Sequence, residues 1–137
     1  MNWLLKEEPK KYSFDNLAAD RGTCWSGVRN PLAQRHLKSI RKGDRILYYH
    51  TGTERAVIGL ARAASNAYPD PADASGRRVA VDIVPVRKLT RPVPLAEMKP
   101  RSTFAGHPLV RIPRLSVLPI TDRELEEIEK LANRPKP

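Results

Sequence analysis

The sequence has one cysteine, few acidic residues and no long apolar run. Because Cys24 is the only cysteine, an internal disulfide is excluded, and the lack of any Cys/His cluster argues against a structural zinc site. No apolar run approaches the length of a membrane span, and no apolar stretch behind a charged N-terminus reads as a signal peptide. We therefore expect a soluble cytoplasmic protein without a membrane partner.

Sequence motifs of known enzyme classes are also missing. There is no glycine-rich phosphate-binding loop and no zinc-hydrolase motif. Ser26 precedes a glycine but lacks the second flanking glycine of a nucleophile elbow. Cys24 has no histidine or asparagine at a spacing that indicates a thiol protease. We expect it to be a small buried residue. The sequence therefore gives no positive argument for an enzyme, a metal or a cofactor.

Positive charge is abundant and partly organised. The chain carries 25 Lys and Arg against 15 Asp and Glu, a net charge of +10, which favours polyanionic partners, nucleic acid first. On the helix predicted after Asn30, a basic ridge forms from Arg35, Lys38 and Lys42 at positions i, i+3 and i+7, with Arg41 nearby. Acidic residues crowd the C-terminal helix instead. The alternative is that the charge serves solubility alone.

The pattern of apolar segments predicts an α+β domain. A chain of 137 residues is one domain with a core of its own. Short β-rich segments, with helices inserted but not alternating one for one, indicate a small β-barrel of about five to six strands with helices packed around it. The predicted strands are 3–6, 45–50, 56–64, 77–88 and one around 115–117. We assign the single domain to residues 1–132 and a frayed tail to residues 133–137.

The segment 25–31, Trp-Ser-Gly-Val-Arg-Asn-Pro, is the strongest candidate site. Asn30 is a good N-cap and Pro31 suits the first helical position, so a helix begins there. Trp25 is then expected in the loop before that helix, beside unpaired backbone N–H groups that can receive an acceptor-rich ligand. A flat ring beside free donors suits a nucleobase. The alternative is that Trp25 only fills the core.

Three tyrosines and an aspartate extend this candidate site. Strand alternation places Tyr48 and Tyr49 on opposite faces, so that one points inward and the other can edge a cleft. Tyr68 and Asp70 lie on a proline-flanked corner, where the aspartate is a candidate acceptor for a base edge. With Trp25 these rings could form an aromatic pocket, since base stacking contributes about 1–3 kcal/mol. Core packing and a simple turn are the alternatives.

His50 ends a predicted strand just before a Gly-containing turn. A histidine there can contact a ligand or act as a general base. No acidic partner stands at an informative spacing, so the sequence alone does not favour catalysis by this residue.

Several segments together resemble the EVE domain family, and they span nearly the whole chain. The specific ones are Trp-Ser-Gly-Val-Arg-Asn at 25–30, Tyr-Tyr-His at 48–50 and Tyr-Pro-Asp at 68–70, supported by Trp-Leu-Leu-Lys at 3–6, Tyr-Ser-Phe at 12–14 and Arg-Leu-Ser-Val at 114–117. The resemblance implies a PUA-like barrel related in shape to YTH domains, which read modified bases.

The resemblance implies a non-catalytic module that binds DNA or RNA carrying a modified, flipped base. We expect a monomer, although the sequence does not determine the oligomeric state. Trp25 forms one wall of the pocket. The candidate rim and floor residues are Lys6, Ser26, Gly27, Asn30, Tyr49, His50, Tyr68 and Asp70, and the candidate phosphate contacts are Arg29, Arg35, Lys38 and Lys42. The alternatives are an enzyme that acts on a modified nucleotide or RNA through His50 and Asp70, and a small-metabolite sensor or adaptor.

Two positions depart from the family pattern. Gln34 stands where the family usually has an arginine, and the segment 78–80 lacks a tryptophan that often precedes the Val-Asp pair. If that tryptophan forms a second wall, the pocket of this chain is more open or is closed by Tyr68.

Overall fold

The computed structural model describes residues 1–134, which form seven strands, six α-helices and one 3₁₀ turn. The strands are β1 Asn2–Glu7, β2 Thr23–Trp25, β3 Arg45–His50, β4 Ala56–Ala63, β5 Tyr68–Pro69, β6 Val79–Pro94 and β7 Val117–Ile120. The helices are α1 Pro9–Tyr12, α2 Phe14–Asp20, α3 Pro31–Ser39, α4 Leu95–Met98, α5 Pro108–Arg111 and α6 Asp122–Ala132, and the 3₁₀ turn is Ser102–Phe104. Within residues 1–134, no helix has both the length and the apolar character needed to cross a bilayer.

One curled sheet organises these elements as a half-barrel. Its strand order is β2-β6-β4-β3-β1-β7, and β5 pairs with β6. Strand β1 pairs in parallel with β3 and antiparallel with β7, so it lies inside the sheet. Helices pack around the sheet, with α3 against β6 and β7 and α6 against β6. The predicted α+β fold, a small PUA-like barrel with surrounding helices, is confirmed.

Because β1 and β3 pair in parallel, their carboxyl ends lie side by side at the same end of the sheet. Lys6 stands opposite Tyr49 and Glu7 opposite His50. At the other side of the sheet β2 pairs antiparallel with β6, where Trp25 stands opposite Val81. Long-range pairing therefore places Trp25 at the end of a short strand. The prediction that it lies in a loop is wrong, because the β-ladder with β6 supplies hydrogen-bond partners that the local sequence does not reveal.

A β-bulge interrupts the pairing of β3 with β4. Tyr48 pairs with Gly59 and Tyr49 with Val57, so Ile58 is the extra residue. Tyr48 and Tyr49 point to opposite faces, as alternation predicts, but both are buried. Each face of the sheet is covered at this point.

Side-chain caps mark the starts of α2, α3 and α6, and the cap predicted at Asn30 is confirmed. Ser13 and Asn16 form a capping box at α2, and Thr121 and Glu124 form another at α6. Asn30 caps α3 by accepting from the backbone N–H of Ala33 at 2.9 Å. Strand bounds are less well predicted: β7 covers 117–120 rather than the residues around 115–117, and β6 extends to residue 94. Of the predicted tail, residues 135–137 lie outside the described residues.

Gly59 is required by the ring of Phe14. A Cβ atom at this position would lie 2.5 Å from a carbon of that ring, which is itself buried. The small residue in β4 therefore accommodates a side chain of the core rather than a ligand.

We expect Gly59→Ala to destabilise the fold by about 1–3 kcal/mol, because the methyl group overpacks this contact. Urea unfolding measures the change, and Phe14→Leu in the same chain provides the control, since it makes room for the methyl group. The double variant is expected to lose less stability than the sum of the two single variants. Simple additivity would show that the ring contact is not the cause.

Candidate functional site

A cleft of about 410 Å³ opens beside Trp25, and we call it the Trp25 cleft. Its volume is within the range of about 300–1,000 Å³ that is typical of ligand sites. It lies between the end of β1, the end of α1, strand β2 and the loop that leads to α3. The lining residues are Lys6, Glu7, Tyr12, Thr23, Cys24, Trp25, Ser26, Gly27, Val28, Arg29 and Ser116.

Trp25 belongs to the core and to the cleft at the same time. Its side chain is only 7% exposed, and its ring meets the ring of Tyr48 edge to face, with centroids 5.5 Å apart and planes at 84°. The remaining exposed part of the residue lines the cleft. Trp25 therefore packs in the core, as one alternative predicts, and also lines a cleft, while its contact with a ligand stays a prediction.

Asp70 fixes the loop that follows Trp25. The side chain is buried, and its Oδ2 accepts a hydrogen bond from the backbone N–H of Gly27 at 2.8 Å. Its Oδ1 accepts from the backbone N–H of Ala72, also at 2.8 Å. Gly27 has a φ of +76°, a left-handed conformation that suits glycine. Asp70 is thus placed behind the cleft rather than in its lining, and it positions the loop.

Gln34 ties the same loop to the sheet. The side chain is 6% exposed. Its Nε2 donates to the carbonyl oxygens of Val28 at 2.8 Å and Val79 at 3.2 Å, and its Oε1 accepts from the N–H of Val79 at 2.9 Å. In this chain position 34 is therefore an internal brace between the start of α3 and β6.

The start of α3 offers fewer free donors than the sequence suggests. Pro31 has no N–H, and the N–H groups of Ala33 and Gln34 both bond to Asn30, the first through its side chain and the second through its carbonyl oxygen. The N–H of Gly27 is taken by Asp70. Asn30 itself lies outside the cleft lining and acts as the helix cap.

Tyr68 lies behind Cys24 and outside the cleft lining. Its hydroxyl donates to Oδ1 of Asp82 and lies 3.0 Å from Sγ of Cys24. The hydrogen bond to the Asp82 carboxylate is the main cause that raises the pKa of Tyr68 above its usual range. Tyr68 thus supports Cys24, which does line the cleft, but Tyr68 does not line the cleft itself.

Tyr12 is a cleft residue that the sequence analysis did not identify as a site residue. Its hydroxyl donates to Oδ2 of Asp20 at 2.7 Å, and its backbone carbonyl accepts from the Tyr48 hydroxyl. Burial, followed by the hydrogen bond to Asp20, raises the pKa of Tyr12. Two sequence signals pointed to this residue: it lies close behind Glu8 and Pro9, and it begins the Tyr-Ser-Phe segment that resembles the EVE family.

His50 and Tyr49 both lie outside the Trp25 cleft. The His50 Nε2 accepts from the backbone N–H of Phe14 at 3.0 Å, and its Nδ1 lies 2.6 Å from Oε1 of Glu54. Both ring nitrogens are therefore engaged in holding α2 and the β3–β4 connection. Tyr49 is buried on the opposite face of β3, with its ring centroid 5.5 Å from the Lys6 Nζ.

Lys6 is a buried cation at the edge of the cleft. The residue is 8% exposed, and its Nζ donates to the carbonyl oxygen of Pro113 at 2.9 Å. Burial lowers the pKa of Lys6 to about 8, because the charged amine loses hydration.

The predicted basic ridge is exposed and unneutralised. Arg35, Lys38, Arg41 and Lys42 are exposed, and none forms an ion pair within residues 1–134. Of the four predicted phosphate contacts, Arg29 lines the cleft, whereas Arg35 and Lys38 project from α3 and Lys42 follows that helix. The cleft and the ridge are thus connected through the 26–30 loop.

The structure brings together part of the predicted site. Lys6, Trp25, Ser26, Gly27 and Arg29 line one cleft. The predicted ligand contacts that do not line it are Asn30, Tyr49, His50, Tyr68 and Asp70. No ligand contact by any of these residues has been tested, and those roles stay predictions. Within the described part of the chain, no group of three or more His, Cys, Asp or Glu residues could hold a metal ion.

Comparison with known proteins gives a consistent family assignment. The EVE domain model matches residues 1–131. Human thymocyte nuclear protein 1 is 30% identical to this chain over 97% of the chain and 74% of its own length. The chicken protein of the same name is also 30% identical, over 95% of this chain and 68% of its own length.

Solved structures agree with this assignment. A protein from Rhodopseudomonas palustris, solved by NMR, is 41% identical and superposes with a TM-score of 0.90, covering 96% of this chain and 92% of its own. Human THYN1 protein, solved in complex with 5-methylcytosine-containing DNA, is 29% identical and has a TM-score of 0.86, covering 98% of this chain and 99% of its own.

We expect Asp70→Ala to release the loop beside Trp25, because the N–H groups of Gly27 and Ala72 lose their acceptor. Leaving a buried donor unpaired costs about 1–3 kcal/mol. Amide hydrogen exchange by NMR should show loss of protection at Gly27. Asp73→Ala is the matched control, since Asp73 accepts only from residues of its own turn, Ser75 and Arg78. Unchanged protection of Gly27 in Asp70→Ala would contradict the positioning role.

Proposed function

This chain belongs to the EVE domain family, and on that premise we propose that it is a non-catalytic module that binds nucleic acid and recognises a modified, flipped base in the Trp25 cleft. The observation that carries the proposal is the cleft itself, which is lined by a tryptophan packed on Tyr48 and by the exposed cation Arg29. A human relative was solved with 5-methylcytosine-containing DNA, so we choose this modified base as the probe.

Base recognition would rely on stacking and on polar side chains of the rim. The ring of Trp25 is held by Tyr48, so no rotamer entropy is lost when a base stacks on its accessible part. Tyr12 lines the same cleft and is the candidate for a second aromatic contact. With the N–H of Gly27 occupied by Asp70, hydrogen bonds to the base would come from Lys6 and Ser26.

Phosphate contacts would come from Arg29 and from the ridge of Arg35, Lys38 and Lys42. These cations have no acidic partner in the described chain, so a phosphate need not compete with an internal ion pair. Binding of this kind releases counterions and depends steeply on salt. Flipping a base out of a duplex costs a few kcal/mol, so a modified base at a mismatch or in a single strand should bind more tightly than a paired one.

We propose no catalytic role because His50 and Asp70, the two candidates for acid–base chemistry, both serve the fold. Both nitrogens of His50 and both carboxylate oxygens of Asp70 already have partners that hold the fold. Neither residue lines the Trp25 cleft. Turnover of a modified nucleotide by the pure protein would instead favour the enzyme alternative.

We expect the protein to bind DNA with 5-methylcytosine at a mismatch more tightly than DNA of the same sequence with unmodified cytosine at the same mismatch. We expect Trp25→Leu to abolish most of this difference in affinity. Stacking contributes about 1–3 kcal/mol per base, so the predicted loss in affinity is about 5- to 150-fold. Fluorescence anisotropy with both duplexes, and with RNA of the same sequence, measures the effect.

Because Trp25 is also a core residue, Trp3→Leu serves as the matched control. Trp3 is a buried tryptophan outside the cleft, so its replacement lowers stability without touching the site. It should leave the preference for the modified base unchanged among folded molecules. Equal loss of preference in both variants, or no preference in the unaltered protein, would contradict base recognition at Trp25.

We expect the ridge variant Arg35→Gln/Lys38→Gln to weaken binding to modified and unmodified DNA alike. Each phosphate contact contributes about −0.9 to the slope of log K against log salt, so losing two contacts should reduce the slope by about 1.8. Titrations at several salt concentrations measure it. Arg62→Gln/Lys130→Gln removes the same charge from other exposed positions and should change the slope much less. An equal change in both variants would indicate a non-specific effect of net charge.

A further inference from the structure

A second cavity of about 240 Å³ lies next to the Trp25 cleft, and the one lining residue that it shares with the proposed base site is Lys6. It is formed by the ends of β1 and β3, the turn after β3, helix α4 and helix α5 with the residues that follow. Lys6 lines both cavities. Pro113 lines the second cavity and Ser116 lines the Trp25 cleft, so the short segment between them separates the two spaces.

The second cavity is lined by apolar side chains and by charged side chains that are all positive. Leu95, Leu109 and Val110 supply aliphatic surface. The charged lining residues are Lys6, Arg55 and Lys99, and no acidic side chain lines the cavity. None of these three cations forms an ion pair within residues 1–134.

Lys6 is the unusual member of this group. More than nine-tenths of the residue is buried, yet its Nζ has one hydrogen-bond acceptor, the carbonyl oxygen of Pro113, although an ammonium group can donate three. Its other nearby group is the ring of Tyr49. An anion that enters the space beside this ammonium can accept its remaining N–H groups in charge-assisted hydrogen bonds.

Arg55 is held at the rim by its backbone. Its φ of +40° is a left-handed conformation that is uncommon outside glycine. Its carbonyl oxygen accepts from the N–H of Leu95 at 2.9 Å, which anchors the turn to α4. The turn therefore presents the Arg55 side chain beside the same cavity that Lys99 reaches from the end of α4.

We propose that the second cavity binds an anionic group, a phosphate or a carboxylate, carried on a small apolar body. Charge-assisted hydrogen bonds from Lys6, Arg55 and Lys99 hold the anion, and the apolar body contacts Leu109 and Val110. The cavity volume limits the ligand to a small molecule or to one group of a larger one. This binding does not depend on recognition of a base at Trp25.

Phenyl phosphate is the probe, with inorganic phosphate and benzyl alcohol as the two partial ligands. Titration of the full chain, followed by two-dimensional NMR, should give saturable shifts at the backbone amides of Thr51, Leu95 and Val110. Inorganic phosphate should bind more weakly than phenyl phosphate, and neutral benzyl alcohol should not saturate. Absence of saturable shifts at these amides, or equal binding of benzyl alcohol, would overturn the proposal.

The variant Arg55→Gly/Lys99→Gln removes two cations from the rim. Glycine suits the backbone at position 55, and both side chains are exposed, so the fold should be retained. We expect phenyl phosphate to bind at least about tenfold more weakly, because two charge-assisted contacts are lost. Arg62→Gln/Lys130→Gln, with the same change in net charge, should bind it as the unaltered chain does. Equal weakening in both variants would contradict a specific site.

A second arm identifies the source of the anion. The phenyl phosphate titration is repeated with DNA bound at the Trp25 cleft. Displacement of the probe by DNA would show that a backbone phosphate enters the second cavity, whereas simultaneous binding would show a separate small-molecule site. If DNA does not bind at all, the proposed function fails, and the titration with phenyl phosphate alone still tests the second cavity.

Discussion

The packing around Tyr48 connects the core of this protein to its candidate site. The side chain is fully buried, and its ring meets those of Phe14, Trp25 and His50 edge to face at centroid distances between 5.5 and 5.8 Å. Its hydroxyl donates to the backbone carbonyl of Tyr12. One residue of β3 thus positions α2, the wall of the cleft and the end of α1. Packing in the core around Tyr48 therefore helps to determine the shape of the Trp25 cleft.

The distribution of carboxylates explains where positive charge remains available. Asp44 accepts from the indole of Trp3 and the N–H of Arg41, and hydrogen bonds from these groups hold the pKa of Asp44 below its usual range against the opposing effect of burial. Asp70 and Asp82 likewise accept from internal donors. Carboxylates that tie loops and strands together cannot neutralise α3 or the second cavity. The cations on α3 and around the second cavity consequently have no acidic partner within residues 1–134.

The sequence predicts the local features of this fold better than the site. The Asn30 cap at the start of α3 and the strands β1 and β3 follow from signals within a few residues, and they are confirmed. The roles of Asp70 and Gln34 depend on hydrogen bonds to Gly27 and Val79, which are 43 and 45 residues away. A proline-flanked aspartate looks like a surface acceptor in the sequence, and only the pairing of β5 and β2 with β6 turns it towards the loop. The local pattern of residues 25–31 already predicts Trp25 as a site residue, whereas Lys6 is predicted only by the resemblance to the EVE domain family, because a family pattern contains long-range information that composition and spacing lack.

The start of α3 offers fewer free backbone donors than the sequence suggests. The sequence suggests that unpaired N–H groups receive a ligand there, but Asn30 and Asp70 satisfy most of these donors. The backbone donors there are therefore already hydrogen-bonded. In the proposed function, the choice between bases then depends on the side chains around Trp25. A preorganised wall lowers the entropic cost of binding, but a ring is equally suited to every base. In the proposed function, Trp25 holds the base in the cleft, and discrimination between a modified and an unmodified base requires in addition that the remaining lining residues, above all Tyr12 and Cys24, fit the added group.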